Sequence, residues 1–171
     1  MCFLPNKGEE MKGISKKFIL FSCVLFVFNS GLFADANDDL HRSVITNDFN
    51  TFKERVDKAL SDDAQINVKR GGMTVLHAAA LESHSDLEMW KNTIKYLVGD
   101  EVIINGRIYI ISNEEKANPN LTIVSSDAWN GLKPWQVAKK CFEDWKNNKY
   151  KEIANYLAEK AGDAKPYPNV D

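Results

Sequence analysis

The stretch from Gly72 to His84 reads Gly-Met-Thr-Val-Leu-His-Ala-Ala-Ala-Leu-Glu-Ser-His, and it decides the fold of this chain. Thr74 stands at a predicted helix N-cap, directly after a glycine pair, Gly71 and Gly72, that supplies a turn. His77 follows three residues later, which is the position from which a capping-box side chain reaches back to the cap. The stretch therefore predicts a helix that begins after Thr74 and is fixed by His77.

The apolar residues Leu76, Ala79 and Ala80 have i, i+3, i+4 spacing, and the alanines allow another helix to approach closely. With its turn and caps, the stretch resembles the ankyrin repeat, in which a glycine turn leads into a Thr-Pro-Leu-His-x-Ala-Ala helix, a Gly-His pair and a second helix. The matching residues are Gly72, Thr74, Leu76, His77, Ala79, Ala80 and His84, whereas Val75 replaces the usual proline and Ser83 the usual glycine. The resemblance implies structural roles for both histidines.

Two more units resemble the same repeat. Leu76 follows a Leu-His pair at Leu40 by 36 positions, close to the family period of about 33. In the last unit, Gly131, Pro134 and Ala138 occupy places of the ankyrin pattern. The repeats are expected at about 38–70, 71–98 and 129–162, with second helices at 51–60, 87–98 and 151–161 and an insertion at 99–128. We therefore predict an all-α ankyrin solenoid over residues 37–163, followed by a flexible tail at 164–171.

The insertion carries the signal of a β-hairpin. Two β-branched runs, Glu101 to Ile104 and Arg107 to Ile111, flank Asn105-Gly106, a dipeptide typical of two-residue hairpin turns. A third apolar run, Leu121 to Val124, is a candidate to pair with the hairpin.

The N-terminus has the pattern of a secretory signal peptide. Lysines at 12, 16 and 17 precede an apolar run, Phe18 to Phe28, and small residues follow at Ala34 and Ala36. We expect residues 1–36 to be removed, with cleavage after Ala34 as the alternative and an uncleaved anchor as another; translation starts at Met1 or Met11. The short leader, the single remaining cysteine, Cys141, and the abundance of Lys, Asn and Ile favour a bacterial protein exported to the periplasm or secreted.

Composition and motifs exclude several classes of function. A net charge of -2, without a basic cluster beyond the N-terminus, argues against nucleic-acid binding. His77 and His84 are about 10 Å apart along a straight helix, too far to share one metal ion. Glu114-Glu115 is expected to be solvated, and motifs for nucleophiles, metal hydrolysis or phosphate binding do not occur in the sequence. We expect a monomer without cofactor or metal, without catalytic activity and, once the leader is cleaved, without membrane contact.

These inferences favour a protein-binding module of the cell envelope that inhibits or protects its partner, using the concave face of the stack and the hairpin. The candidate contact residues are Val102, Ile104, Arg107, Tyr109, Ile111 and Trp129. Alternation along the hairpin leaves open whether the first five face outward or onto the stack. The alternatives are a small-ligand or haem carrier that supports an envelope enzyme, and a hydrolase.

Overall fold

The computed structural model describes residues 35–46, 48–82, 86–111 and 116–170. Within these ranges the chain is mainly helical, with a small antiparallel sheet, which confirms the predicted class at that level. The helices are α1 (Ala36–Ser43), α2 (Phe49–Ser61), α3 (Val75–Leu81), α4 (Leu87–Val98), α5 (Pro134–Trp145) and α6 (Lys149–Ala161), and the strands are β1 (Val102–Ile104) and β2 (Arg107–Tyr109). None of the described helices is both long and apolar enough to cross a membrane.

The helices pack as three consecutive pairs. Within each pair, α1 contacts α2, α3 contacts α4, and α5 contacts α6. The short helix α3 occupies the middle, because it also touches α1 on one side and α5 on the other. Its small alanine face permits this crowding, since Ala79 and Ala80 are fully buried. The stretch that begins at Gly72 is therefore the centre of the fold.

Polar side chains and glycines cap the ends of the helices. The Asp86 carboxylate accepts hydrogen bonds from the first-turn N–H groups of α4, and Gly99 ends that helix with φ of 82°. Gly162 ends α6 with φ of 74°. The predicted bounds of α4 are confirmed, whereas α2 and α6 each begin two residues before the predicted start. Of the two residues added to α2, Phe49 is buried in the core.

Trp90 joins the second and third helix pairs. Its side chain is fully buried, and its Nε1–H donates to the backbone oxygen of Ala79 at 2.6 Å. The ring meets Tyr150 of α6 edge-on, with centroids 4.8 Å apart, a favoured aromatic geometry. The Tyr150 hydroxyl in turn donates to the backbone oxygen of Leu81 at 2.9 Å. These contacts fix α3, α4 and α6 against one another.

The apolar run from Leu121 to Val124 does not pair with the hairpin, contrary to the sequence-based expectation. The Val124 N–H donates to the Gly72 oxygen at 3.0 Å, and the Ile123 N–H donates to the Leu132 oxygen at 2.9 Å. The Gly131 N–H returns a bond to the Ile123 oxygen at 2.9 Å. The run thus bridges the turn before α3 and the turn before α5.

The described part of the C-terminal tail, residues 164–170, makes specific contacts with the last helix pair. Asn155 of α6 clamps the backbone of Tyr167: its Nδ2 donates to the Tyr167 oxygen at 2.6 Å, and its Oδ1 accepts from the Tyr167 N–H at 2.9 Å. The Tyr167 ring packs edge-on against Phe142 of α5, with centroids 5.3 Å apart. Polar pairing and ring contact together hold the tail on the last helix pair.

Candidate functional site

The hairpin is the surface feature that stands outside the helix pairs. Its register pairs Val102 with Tyr109, Ile103 with Ile108, and Ile104 with Arg107. Because side chains alternate along a strand, the first and third pairs share one face and the middle pair lies on the other. The hairpin therefore has an inner face toward the helices and an outer face toward solvent.

The inner face is anchored by apolar contacts. Val102 is only 1% exposed, and Ile111, just beyond β2, is 4% exposed. The Tyr109 ring meets Phe49 of α2 edge-on at a centroid distance of 5.6 Å, and Phe49 meets Tyr96 of α4 at 5.8 Å. This chain of aromatic contacts ties the hairpin to two helices, so its position is set by packing as well as by its own short ladder.

The outer face carries three isoleucines that are not among the contact residues predicted from the sequence. Ile103 is 64% exposed, Ile108 61% and Ile110 47%. The first two are cross-strand partners, so they form one continuous apolar surface. We call Ile103, Ile108 and Ile110 the outer isoleucine row. Val102 and Ile111 offer almost no surface to a partner, and their selection as contact residues is corrected on that ground.

The other predicted hairpin residues line an open groove between the hairpin and α2. Ile104, Arg107 and Tyr109 form one wall, and Asn50, Lys53 and Glu54 form the other, enclosing about 690 Å³. Lys53 is paired with Asp57 one turn further along α2, whereas Arg107 is exposed. The groove is lined mainly by polar side chains, and Lys53, Glu54 and Arg107 give it charges of both signs.

Trp129 lies elsewhere, in a cleft of about 280 Å³ at the turns that precede α3 and α5. The cleft is lined by Gly71, Met73, Leu81, Ile123, Ser125, Asp127 and Trp129, and it shares no lining residue with the hairpin groove. The indole is half-buried, and the ammonium of Lys140 lies 5.4 Å from its centroid. The structure therefore does not bring Trp129 together with the other predicted contact residues in one site.

His77 uses both ring nitrogens inside the fold. The Thr74 N–H donates to its Nδ1 at 3.2 Å, so Nδ1 is unprotonated, and the Thr74 hydroxyl lies 2.8 Å from the same atom. The proton then resides on Nε2, which donates to the Leu132 carbonyl oxygen at 3.1 Å. Burial lowers the pKa of His77 to about 4 and outweighs the opposing effect of the bond to Leu132. The predicted capping box is confirmed, and His77 is a neutral structural group at physiological pH.

The described polar residues beyond His77 do not form a shared binding site. His41 is half-buried, its Nε2 lies 3.4 Å from the Val68 oxygen, and burial lowers its pKa. His84 and the Glu114-Glu115 pair lie outside the described residues. In the part of the chain that the structure describes, no group of three or more His, Cys, Asp or Glu side chains is arranged to hold a metal ion.

The outer isoleucine row could have been found from the sequence only in part. Strict alternation separates the two faces of the hairpin, but both faces are rich in isoleucine, so hydrophobicity does not say which face is buried. The deciding signal is the aromatic platform formed by Phe49 and Tyr96, residues from two different helices.

Comparison of the chain with protein-family models, with curated proteins and with solved structures gave no match.

Proposed function

We propose that this protein is a non-catalytic binding module of the cell envelope, built as an ankyrin-like stack, and that it recognises a partner protein through the outer isoleucine row. The observation that carries the proposal is the exposed cross-strand pair Ile103 and Ile108 on a hairpin whose opposite face is packed against the helices. Contiguous exposed apolar surface on a folded domain is typical of a site that another protein covers.

Anchoring makes the outer row suited to binding. A free two-stranded hairpin is marginally stable, and ordering it on binding would weaken the complex. Here the contact between Tyr109 and Phe49 and the burial of Val102 and Ile111 hold the hairpin before any partner arrives. The row therefore meets its partner with little further loss of conformational entropy.

The ankyrin-like arrangement supports the same function. The three helix pairs follow one another in chain order, with α3 touching both α1 and α5, and the turns before α3 and α5 are joined through Ile123 and Val124. Stacks of this kind bind partners along the concave face and the turn tips. The cleft beside Trp129 lies at these turns and is proposed as a second contact region.

The envelope location rests on the leader, and a capping contact of Asp35 supports our choice between the two cleavage positions. The Asp35 carboxylate accepts from the Asn37 N–H at 3.0 Å as the N-cap of α1, and it also pairs with Arg70. Cleavage after Ala34 would keep this cap, whereas cleavage after Ala36 would remove it. We therefore propose that the exported chain begins at Asp35, which N-terminal sequencing of the envelope protein would test.

The binding experiment compares two variants in which isoleucines of nearly equal exposure are replaced by serine. Affinity capture from the envelope fraction is performed with the natural chain, with Ile103→Ser plus Ile108→Ser, and with Ile45→Ser, whose parent side chain is 63% exposed on the connection between α1 and α2. The hairpin variant is expected to lose a partner that the Ile45 variant retains, with unchanged urea unfolding midpoints. A partner retained by both variants, or lost by both, contradicts recognition through the outer row.

A further inference from the structure

The sequence contains two Asn-Gly dipeptides, Asn105-Gly106 in the hairpin turn and Asn130-Gly131 in the turn before α5. All four residues are exposed, so water reaches both dipeptides. Both glycines have positive φ, 74° at Gly106 and 77° at Gly131, and neither would bring an added Cβ within 4 Å of another atom. The two dipeptides therefore match in sequence, exposure and glycine backbone conformation.

An Asn-Gly dipeptide can lose its side-chain amide without an enzyme or an oxidant. The deprotonated backbone nitrogen of glycine attacks Cγ of asparagine, a C–N bond forms, the Cγ–Nδ2 bond breaks, and ammonia leaves with a proton from solvent. Water then opens the cyclic imide at either carbonyl and gives aspartate or isoaspartate. Glycine permits the attack because it has no Cβ to obstruct the approach and can rotate freely.

At Asn130 the reacting groups are held by hydrogen bonds. The Gly131 N–H, which carries the attacking nitrogen, donates to the Ile123 oxygen at 2.9 Å. The Asn130 Oδ1 accepts from the Ser125 N–H at 3.2 Å, and the Asn130 N–H donates to the Asp127 oxygen at 3.1 Å. Cyclisation there requires these bonds to open together, because the side chain and the glycine nitrogen must approach each other.

At Asn105 the corresponding groups are unrestrained. Within the described residues, neither the Asn105 side chain nor the Gly106 N–H has a hydrogen-bond partner, since the ladder ends with the pair of Ile104 and Arg107. Asn105 has φ of 51°, so the turn places two consecutive residues at positive φ. Each strand has three residues, and a ladder this short opens readily at its tip.

We propose that Asn105 is a selective self-modification site of this protein, converting to aspartate and isoaspartate while Asn130 in the same fold stays intact. The conversion places a carboxylate in the groove that Lys53 and Arg107 line. The isoaspartate product also adds a methylene to the backbone at the turn and disturbs the register that supports the outer isoleucine row. The modification stands on the turn chemistry and does not depend on the proposed function.

The test compares the two Asn-Gly dipeptides within the same protein, with Asn130 as the reference for Asn105. Purified full-length protein is aged at mildly alkaline pH well below its unfolding temperature, digested under acidic conditions and mapped by mass spectrometry, with isoaspartate quantified by an isoaspartate-specific methyltransferase. We expect conversion at Asn105 to be more than about tenfold faster than at Asn130, because several hydrogen bonds must break together at the second site. The same ageing in concentrated urea supplies the control, and there the two sites are expected to react at similar rates.

Two results would overturn the proposal. Equal rates at Asn105 and Asn130 in the folded protein would show that the hydrogen bonds around Asn130 give no protection. An Asn105 that remains intact in the folded chain but reacts in urea would show that the hairpin turn itself blocks cyclisation.

Discussion

Nε2 of His77 lies 3.1 Å from the backbone oxygen of Leu132, a residue 55 positions further along the chain. The other ring nitrogen accepts from the Thr74 N–H, so one imidazole joins the start of α3 to the turn that leads into α5. Because the ring is fully buried, both bonds are shielded from water. His77 thereby links two helix pairs that are remote in sequence.

This linkage predicts loss of stability in mild acid. The folded pKa of His77 is about 4, below its ordinary 6.5, so between these values the unfolded chain binds the proton more readily. The contribution of neutral His77 to the free energy of unfolding is complete above about pH 6.5. It is lost as the pH falls toward 4, by an amount on the order of 3 kcal/mol. Urea unfolding midpoints measured across this range should fall steadily with pH.

The control for that experiment is His77→Gln, which cannot titrate. The variant should be less stable at neutral pH and should show a much flatter pH dependence over the same interval. A shallow slope is expected to remain, because burial also lowers the pKa of His41 and acts in the same direction. An unchanged slope in the variant would assign the acid sensitivity to other groups.

Gly72→Ala is expected to destabilise the protein strongly. Gly72 has φ of 83°, and an added Cβ would lie 2.0 Å from the Val124 oxygen, which forces the bridge between the two turns apart. Gly162→Ala is the matched control, with φ of 74° and no atom within 4 Å of the added carbon. The control should cost about 1 kcal/mol from backbone strain, and Gly72→Ala clearly more. Equal losses in urea unfolding would contradict the close packing of the turns.

Neighbouring substitutions in β2 test which face of the hairpin is buried. Tyr109→Ala removes the contact with Phe49 and should lower the free energy of unfolding by about 1–3 kcal/mol. Ile108→Ala, one residue away on the outer face, should cost less than about 1 kcal/mol because its side chain is already 61% exposed. Thermal and urea unfolding of the two variants would measure these losses. A larger loss for Ile108→Ala than for Tyr109→Ala would show that the outer isoleucine row is buried.

Cys141 should resist thiol reagents in the folded protein. It is fully buried on α5, and burial raises the pKa of its thiol to about 11, so little reactive thiolate exists at neutral pH. Labelling should therefore follow unfolding and occur at once in urea. Rapid labelling of the folded chain would show that α5 is accessible at this position.

Local signals in the sequence account for most of the secondary structure. Asp86 and Gly99 delimit α4 at the predicted residues, and Asn105-Gly106 forms the turn of the hairpin. These features depend on groups a few residues apart, which is why a single sequence suffices to predict them. The pattern Ala-x-x-Asn occurs at both 64–67 and 117–120, and this repetition could have indicated that residue 117 packs against the helix pairs. Ala64 and Ala117 are both buried, and the Asn118 N–H donates to Asn67 Oδ1 at 2.8 Å.

Tertiary packing decided the features that depend on residues far apart in the sequence. The sequence by itself determined the helices, the capping role of His77 and the existence of the hairpin, because backbone hydrogen bonding and capping are local. Only the folded structure decided that Ile103 and Ile108 face solvent, because both hairpin faces are apolar and the choice belongs to Phe49 and Tyr96 on other elements. It also decided that Tyr167 is held by Asn155, since a short polar tail acquires a fixed position only when a distant side chain satisfies its backbone.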